Sequence, residues 1–232
     1  CQQGTPKHSV PVIERQQIKL GEELGQGASG VIYRGQWQDN PQRLFSDIAI
    51  KVFKGEVTSD GYPADELQAC LSAGAHSGLV QPLARIDDAE GSALVMKLIP
   101  EGFDNLGQPP SLNSCTRDTF KEGFTLEVHK IGYIIEQMTD IAQHLQRRKI
   151  SHGDLYAHNV LIDADGTLLF GDFGAASGYA MLEQAQRSRI VKIEQRALGY
   201  FIHDLLGVCA FDDRSSETFL SLQGLAEHYL AD

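Results

Sequence analysis

Five side chains and one glycine-rich run in this 232-residue chain have types and spacings that suit chemistry on phosphates. The run is Gly25-Gln26-Gly27-Ala28-Ser29-Gly30, a GxGxxG. Glycine has no Cβ, so backbone N–H groups in such a run can approach phosphate oxygens. The same spacing opens a helix in dinucleotide-binding folds. Here Val31-Ile32-Tyr33-Arg34 follows and reads as a strand, which predicts a hairpin laid over phosphates. Lys51 ends the apolar run Ile48-Ala49-Ile50, where an unpaired ammonium is costly, so it needs an anion. Glu66, on the next predicted helix, is the best candidate, with Asp65 as the alternative. Charge-assisted bonds of this kind are worth about 1.5–3 kcal/mol each.

The remaining three side chains lie in His152-Gly153-Asp154-Leu155-Tyr156-Ala157-His158-Asn159 and Asp172-Phe173-Gly174. Residues 160–162 and 167–170 predict a hairpin around Asp163-Ala164-Asp165-Gly166. A hairpin brings its ends together, so Asn159 and Asp172 should converge, and both offer oxygen ligands suited to Mg²⁺. Asp154 is then placed to accept a proton from an attacking hydroxyl. A metal site made of His152, His158 and Asp154 is the rival reading of the same stretch.

The elements that must position these groups fall into two textures. Residues 18–99 hold five short strand-like runs, at 18–24, 31–37, 48–53, 83–86 and 93–99. One helix interrupts them, starting near Pro63 and stopping at Gly74. Residues 100–124, with Pro100, Pro109 and Pro110, read as a long loop or short helical pieces. An amphipathic helix follows, marked by Ile131, Ile134, Ile135, Met138, Ile141, Ala142 and Leu145. Further helices are expected from about Ile190 to Leu206 and from Thr218 to Leu230. Residues 1–17 read as a linker or fraying arm. The fold class is therefore α+β, a small β-rich lobe at 18–99 followed by a mainly helical, minimal lobe at 100–232.

Composition narrows the function classes. Lys and Arg total 20 against 31 Asp and Glu, a formal charge of -11, which argues against a nucleic-acid face or a polybasic membrane anchor. No run of about 18 apolar residues predicts a transmembrane helix. The 4 cysteines, at 1, 70, 115 and 209, are scattered without a CxxC pair, which speaks for reduced thiols rather than zinc or disulfides. A cytoplasmic location is expected, in the protein's own cell or in a host cell if it is delivered there. The chain lacks a start Met and a signal peptide and is expected to be part of something longer.

Over residues 18–206 the chain resembles the eukaryotic-like protein kinase superfamily. Within it, the chain is most similar to bacterial leucine-rich-repeat-containing protein kinases. That likeness rests on Leu24 through Gly30, Asp65-Glu66-Leu67, Ser114-Cys115-Thr116-Arg117-Asp118 and His152 through Asn159. The resemblance implies a bilobal fold, ATP and Mg²⁺ as cofactors, and leucine-rich repeats upstream. It implies that Gly25, Gly27, Ala28, Ser29 and Gly30 cover the phosphates and that Lys51 binds them with Glu66 as its partner. Asp154 would be the catalytic base, and Asn159 and Asp172 the magnesium ligands. Ile32, Ala49 and Leu161 would wall the adenine, Met96 would be the gatekeeper, and the backbone of Lys97 and Ile99 would bind the adenine edge. His152 would brace the loop.

Departures from the family pattern are also visible. Gly153 replaces the Arg before the catalytic Asp, and Tyr156 replaces a Lys. Glu194 replaces the central-helix Asp, and no Ala-Pro-Glu segment follows Asp172-Phe173-Gly174. The expected activity is transfer of the γ-phosphoryl of ATP to protein Ser/Thr hydroxyls, including the protein's own. Alternatives are a small-molecule kinase of the aminoglycoside-phosphotransferase type and a nucleotide-binding pseudokinase scaffold.

Overall fold

The structure is a computed structural model that describes residues 10–38, 46–55, 62–114 and 117–231. It divides into two units. The first comprises Cys1–His76, Val80–Pro100 and Phe173–Ser177, and the second the remainder.

The first unit is built on an antiparallel five-stranded sheet of order β1-β2-β3-β5-β4. Its strands are β1 (Ile18–Gln26), β2 (Gly30–Trp37), β3 (Asp47–Phe53), β4 (Pro82–Asp88) and β5 (Gly91–Lys97). Side chains alternate between the faces of a strand, and β3 and β5 are buried on both faces. One face carries Ile48, Ile50, Ala84, Ile86, Ala93 and Val95, packed with Ile18 as a core. The other carries Phe53 and Leu94, packed on Leu67 and Leu71 of helix α1 (Pro63–Ala73). Pro63 suits the first turn of α1, where its missing N–H costs nothing. Asp65 and Glu66 complement the positive end of the helix dipole, and Gly74, at φ 67, ends it.

From Val10 onward, the stretch expected to fray is docked instead. Ile13 N–H donates to Arg85 O at 2.9 Å, and Arg85 N–H donates to Pro11 O at 2.9 Å. Arg15 grips Asp88 with two bonds, at 2.9 and 2.8 Å. Polar composition suggested a loose arm, but these backbone and fork-shaped contacts to β4 leave no signature in composition.

The second unit packs helices α2 (Val128–Arg147), α3 (Gln184–Gly207) and α4 (Glu217–Leu230) against one another. The α2 stripe of Ile131, Ile134, Ile135, Met138, Ile141 and Leu145 is buried. Gly199 of α3 admits α4, since a Cβ there would lie 2.8 Å from Leu230 Cγ. Helix α3 begins at Gln184, earlier than the expected Ile190. A capping box of Glu183 and Gln186 starts it, and its first turns are exposed and polar, so hydrophobic spacing was silent there.

Short strands complete this unit: β6 (Asp104–Asn105), β7 (Ile150–Ser151), β8 (Val160–Ile162) and β9 (Leu168–Phe170). Strands β6, β8 and β9 form one sheet in that order. Among the described residues, 100–124 contain no helical piece, because their backbone is paired elsewhere. Asp104 and Asn105 pair with Ile162 and Leu161, and Leu106 N–H donates to Val160 O at 2.8 Å. Cys70 and Cys209 carry no disulfide, while Cys1 and Cys115 lie outside the described residues. No helix among the described residues is long and apolar enough to cross a membrane.

Candidate active site

In the first unit, β3 places Lys51 on the face that meets α1, and α1 places Glu66 in its first turn. The two form a buried ion pair through Lys51 Nζ and Glu66 Oε1, with Lys51 9% and Glu66 3% exposed. Glu66 is thus the anion that Lys51 takes, rather than Asp65. The other carboxylate oxygen, Glu66 Oε2, is buried with no hydrogen-bond partner. Strand pairing sets Ile32 opposite Lys51 and Ala49 opposite Met96, so these four side chains share that face. Lys97 N–H donates to Gln81 O at 2.9 Å, so an adenine contact from its backbone would fall to the carbonyl. Ile99 lies beyond the end of β5.

The three glycines of the hairpin differ in why glycine is needed. A Cβ on Gly30 would lie 2.3 Å from Val52 O, so strand packing excludes a side chain there. A Cβ on Gly25 or Gly27 would meet nothing within 4 Å. Gly27 N–H is engaged inside the turn, donating to Gly30 O at 2.9 Å, so the amides this turn could offer a phosphate are those of Ala28 and Ser29. Gly30→Ala should therefore cost about 1–3 kcal/mol of stability. Gly27→Ala should be neutral, or stabilising by up to about 1 kcal/mol through the unfolded chain. Urea unfolding of the two variants tests this, and equal midpoints would refute it.

In the second unit, a single 3₁₀ turn (Ala157–Asn159) and the β8–β9 hairpin assemble the second group of residues. The hairpin ends meet as Gly171 N–H donates to Asn159 O at 3.2 Å. Asp172 follows with φ 52, a left-handed conformation that Asp tolerates better than most residues. Asn159 Nδ2 donates to Asp154 Oδ2 at 2.6 Å and to Asp154 O at 2.9 Å. That fixes the amide and leaves Asn159 Oδ1 as the atom outside these bonds. Leu161 is half-buried on β8, opposite Asn105.

His152 is fully buried, its ring stacked on Phe170 at 4.0 Å between centroids. Its Nδ1 accepts Asp154 N–H at 3.2 Å, so Nε2 carries the hydrogen and donates to Gly171 O at 2.9 Å. Burial holds its pKa below the ordinary value, partly offset by the Gly171 bond. Both ring nitrogens are occupied, which removes His152 from the rival metal reading.

Burial pushes the Asp154 carboxyl upward, but hydrogen bonds from His158 and Asn159 outweigh it, and its pKa lies below the ordinary value. His158, with Nε2 at 3.4 Å from Asp154 Oδ2, is raised by that bond and by the fields of Asp154, Asp118 and Asp172. At neutral pH Asp154 is a carboxylate whose position is set by two neighbours.

Glu194 of α3 holds the start of the loop. Its Oε1 accepts Ser151 Oγ–H at 3.0 Å and Gly153 N–H at 3.2 Å, and its Oε2 accepts His152 N–H at 3.1 Å. Gly153 has φ 80, where an Arg would be strained, which accounts physically for glycine at that position.

Asp118 stood in the sequence reading only as part of the resemblance, with no role of its own, and Asp204 did not stand in it at all. Asp118 Oδ1 accepts Ala157 N–H at 2.7 Å, and Asp204 pairs with Arg117. Asp118 and Asp204 are 86 residues apart, and nothing in that spacing says that they meet. Burial raises the Asp118 carboxyl to about 6, against the Ala157 bond, with Asp204 adding and His158 and Arg117 subtracting. A raised carboxyl means that the folded state holds the proton longer than the unfolded chain. Stability from this group is thus present at low pH and lost as pH rises from about 4 to about 6. Asp118→Asn should remove that downward slope in thermal melts across this window; an unchanged slope would contradict it.

Residues 18–198 match the family described as protein tyrosine and serine/threonine kinase. Activated Cdc42 kinase Ack of Drosophila melanogaster is 27% identical over 176 residues, covering 74% of this chain and 15% of that protein. Tyrosine-protein kinase Src64B of the same fly is 26% identical over 170 residues, covering 73% of this chain and 27% of that protein. Receptor tyrosine-protein kinase erbB-2 of Mus musculus is 25% identical over 187 residues, covering 74% of this chain and 13% of that protein. The chain spans less than a third of the length of these relatives.

Proposed function

The chain belongs to the protein tyrosine and serine/threonine kinase family, and on that premise we propose that it transfers the γ-phosphoryl group of ATP to a protein hydroxyl, Ser or Thr, with Mg²⁺ as cofactor. The observation that carries the reading is the Asp154 carboxylate, ionised at neutral pH and oriented by Asn159 and His158. The residues present fit the cofactor. Asn159 Oδ1 and the Asp172 carboxylate are hard oxygen donors, as Mg²⁺ prefers. Lys51 is a buried cation held by Glu66, and Gly25 and Gly27 leave open space over their Cα atoms.

When bound, Mg·ATP supplies the phosphoryl group and the metal charge that neutralises it. Lys51 would bind phosphate oxygens, and Ile32, Ala49 and Met96, on the same face of the sheet, would offer apolar surface to the base. Asp154 orients the acceptor hydroxyl and takes its proton as the new O–P bond forms. The bond from the γ-phosphorus to the ADP oxygen breaks, and ADP leaves with that electron pair. Asn159 keeps Asp154 in place throughout and offers its own Oδ1 to the metal.

The loop has no tyrosine-kinase signature, which supports a Ser/Thr acceptor. The likeness to the tyrosine-protein kinase Src64B and the receptor tyrosine-protein kinase erbB-2 favours a second reading, tyrosine. The likeness to bacterial leucine-rich-repeat kinases and an upstream repeat region belong to the same proposal and rest on the motifs, and a cytoplasmic location belongs to it on the scattered cysteines.

A chain of charge -11 repels ATP, and screening beyond about 8–10 Å leaves the local field to decide. ATP affinity by calorimetry should fall on the order of tenfold or more in EDTA. Mass spectrometry after incubation with Mg·ATP, followed by phosphoamino-acid analysis, tests transfer and acceptor together. Phosphotyrosine alone would select the second reading. No binding of Mg·ATP would overturn both.

A further inference from the structure

Gly107 and Asp118 grip the catalytic loop at one residue, Ala157, from both sides. Ala157 is fully buried. Its N–H donates to Asp118 Oδ1 at 2.7 Å, and its C=O accepts Gly107 N–H at 3.0 Å. A Cβ on Gly107 would lie 2.7 Å from Ala157 Cβ, so the two backbones are in direct contact. Gln108 N–H donates to Thr119 O at 2.7 Å, beside Gly107 and Asp118.

Asp118 is itself fixed. Its N–H donates to Asp204 Oδ2 at 3.0 Å, and Arg117 Nε donates to Asp204 Oδ1 at 2.9 Å. The Arg117 guanidinium also lies over the Tyr200 ring, 5.2 Å from its centroid. Both Asp204 and Tyr200 belong to α3, so the clamp is anchored on the helix whose Glu194 holds the other end of the loop. Ala157 opens the 3₁₀ turn that ends at Asn159, and Asn159 in turn orients Asp154.

We propose that Asp118 is a positioning residue for phosphoryl transfer. Through the Ala157 N–H it holds the turn that sets Asn159 against Asp154. The inference rests on the reading under Proposed function. Asp118 does this as a partly buried carboxylate near a second one, an arrangement unfavourable for stability alone. Its charge strengthens the bond to the Ala157 N–H.

The test uses Asp118→Ala and Asp118→Asn in the full chain, with hydrogen exchange measured on the nucleotide-free protein and kinetics with Mg·ATP. In Asp118→Ala, the Ala157 amide should exchange about tenfold faster or more, while α2 amides stay within about twofold. The rate kcat should fall about 10–100-fold, with KM for ATP within about twofold. Asp118→Asn keeps an acceptor at the same place and should restore Ala157 protection and most of kcat. Gly107→Ala, which forces Ala157 away from the other side, should reproduce the alanine signature and serves if Asp118→Ala does not fold.

Unchanged Ala157 exchange in Asp118→Ala overturns the inference, as do equal kcat losses in the Ala and Asn variants. Absence of turnover in the unmodified protein overturns the phosphoryl-transfer reading instead. The exchange result then still decides whether Asp118 holds the turn.

Discussion

Asp154→Ala should lower the rate of phosphoryl transfer by about 10²–10⁴-fold, the range for losing a positioned base. The loss should fall on kcat rather than on KM for ATP, because the role proposed for Asp154 is on the acceptor hydroxyl and the proposed ATP contacts lie on other residues. Stability should change little, within about 1 kcal/mol. The Asp154 side chain is 35% exposed, so water can replace it as acceptor for Asn159 Nδ2 and His158 Nε2. Asp154→Asn keeps the shape but cannot take a proton, and should be impaired to a similar degree. Steady-state kinetics with a protein acceptor, beside thermal melts of each variant, make the check. An unchanged kcat in Asp154→Ala would remove Asp154 from its assigned role.

Lys51→Met should damage both activity and fold. Its partner Glu66 is 3% exposed, and Glu66 Oε2 already lacks a hydrogen bond. Removing Lys51 leaves the whole carboxylate buried and uncompensated, a change that costs about 3–5 kcal/mol in comparable buried pairs. Replacing both members is different, because the desolvation of each charge disappears together with their attraction. Lys51→Met combined with Glu66→Met should therefore recover most of the stability lost in Lys51→Met.

Activity should not return with the fold. The phosphates would still lack their cation, and a single lost charge contact of this type costs about 10²–10³ in kcat. Urea melts of the single and double variants, with ATP turnover measured on each, separate the two effects. A double variant as unstable as the single one would show that the pair is not what Lys51 contributes to the fold.

Much of this molecule was legible in its sequence because the relevant signals are local. The apolar run in 48–53 and the stripe from Ile131 to Leu145 announce buried segments before any tertiary contact is known. Pro63 and Gly74 punctuate α1 through their own backbone chemistry. The candidate residues were found for a similar reason. Asp154, Asn159 and Asp172 are separated by one short turn and one hairpin, whose geometry is nearly a function of spacing. Lys51 was conspicuous because a cation in an apolar strand is an energetic anomaly that demands a partner.

What the tertiary structure alone decided are the contacts that join distant stretches by backbone groups. Asp118 and Ala157 are 39 residues apart, and Glu194 and His152 are 42 apart. An N–H that donates to one of several nearby carboxylates looks the same in sequence whichever one it finds. The docking of Ile13 and Arg15 on β4, and the use of glycine at position 30 to avoid Val52 O, are of the same kind. Side-chain type and short-range periodicity are written in the chain, whereas the partner of a buried backbone dipole is chosen only when the packed elements close around it.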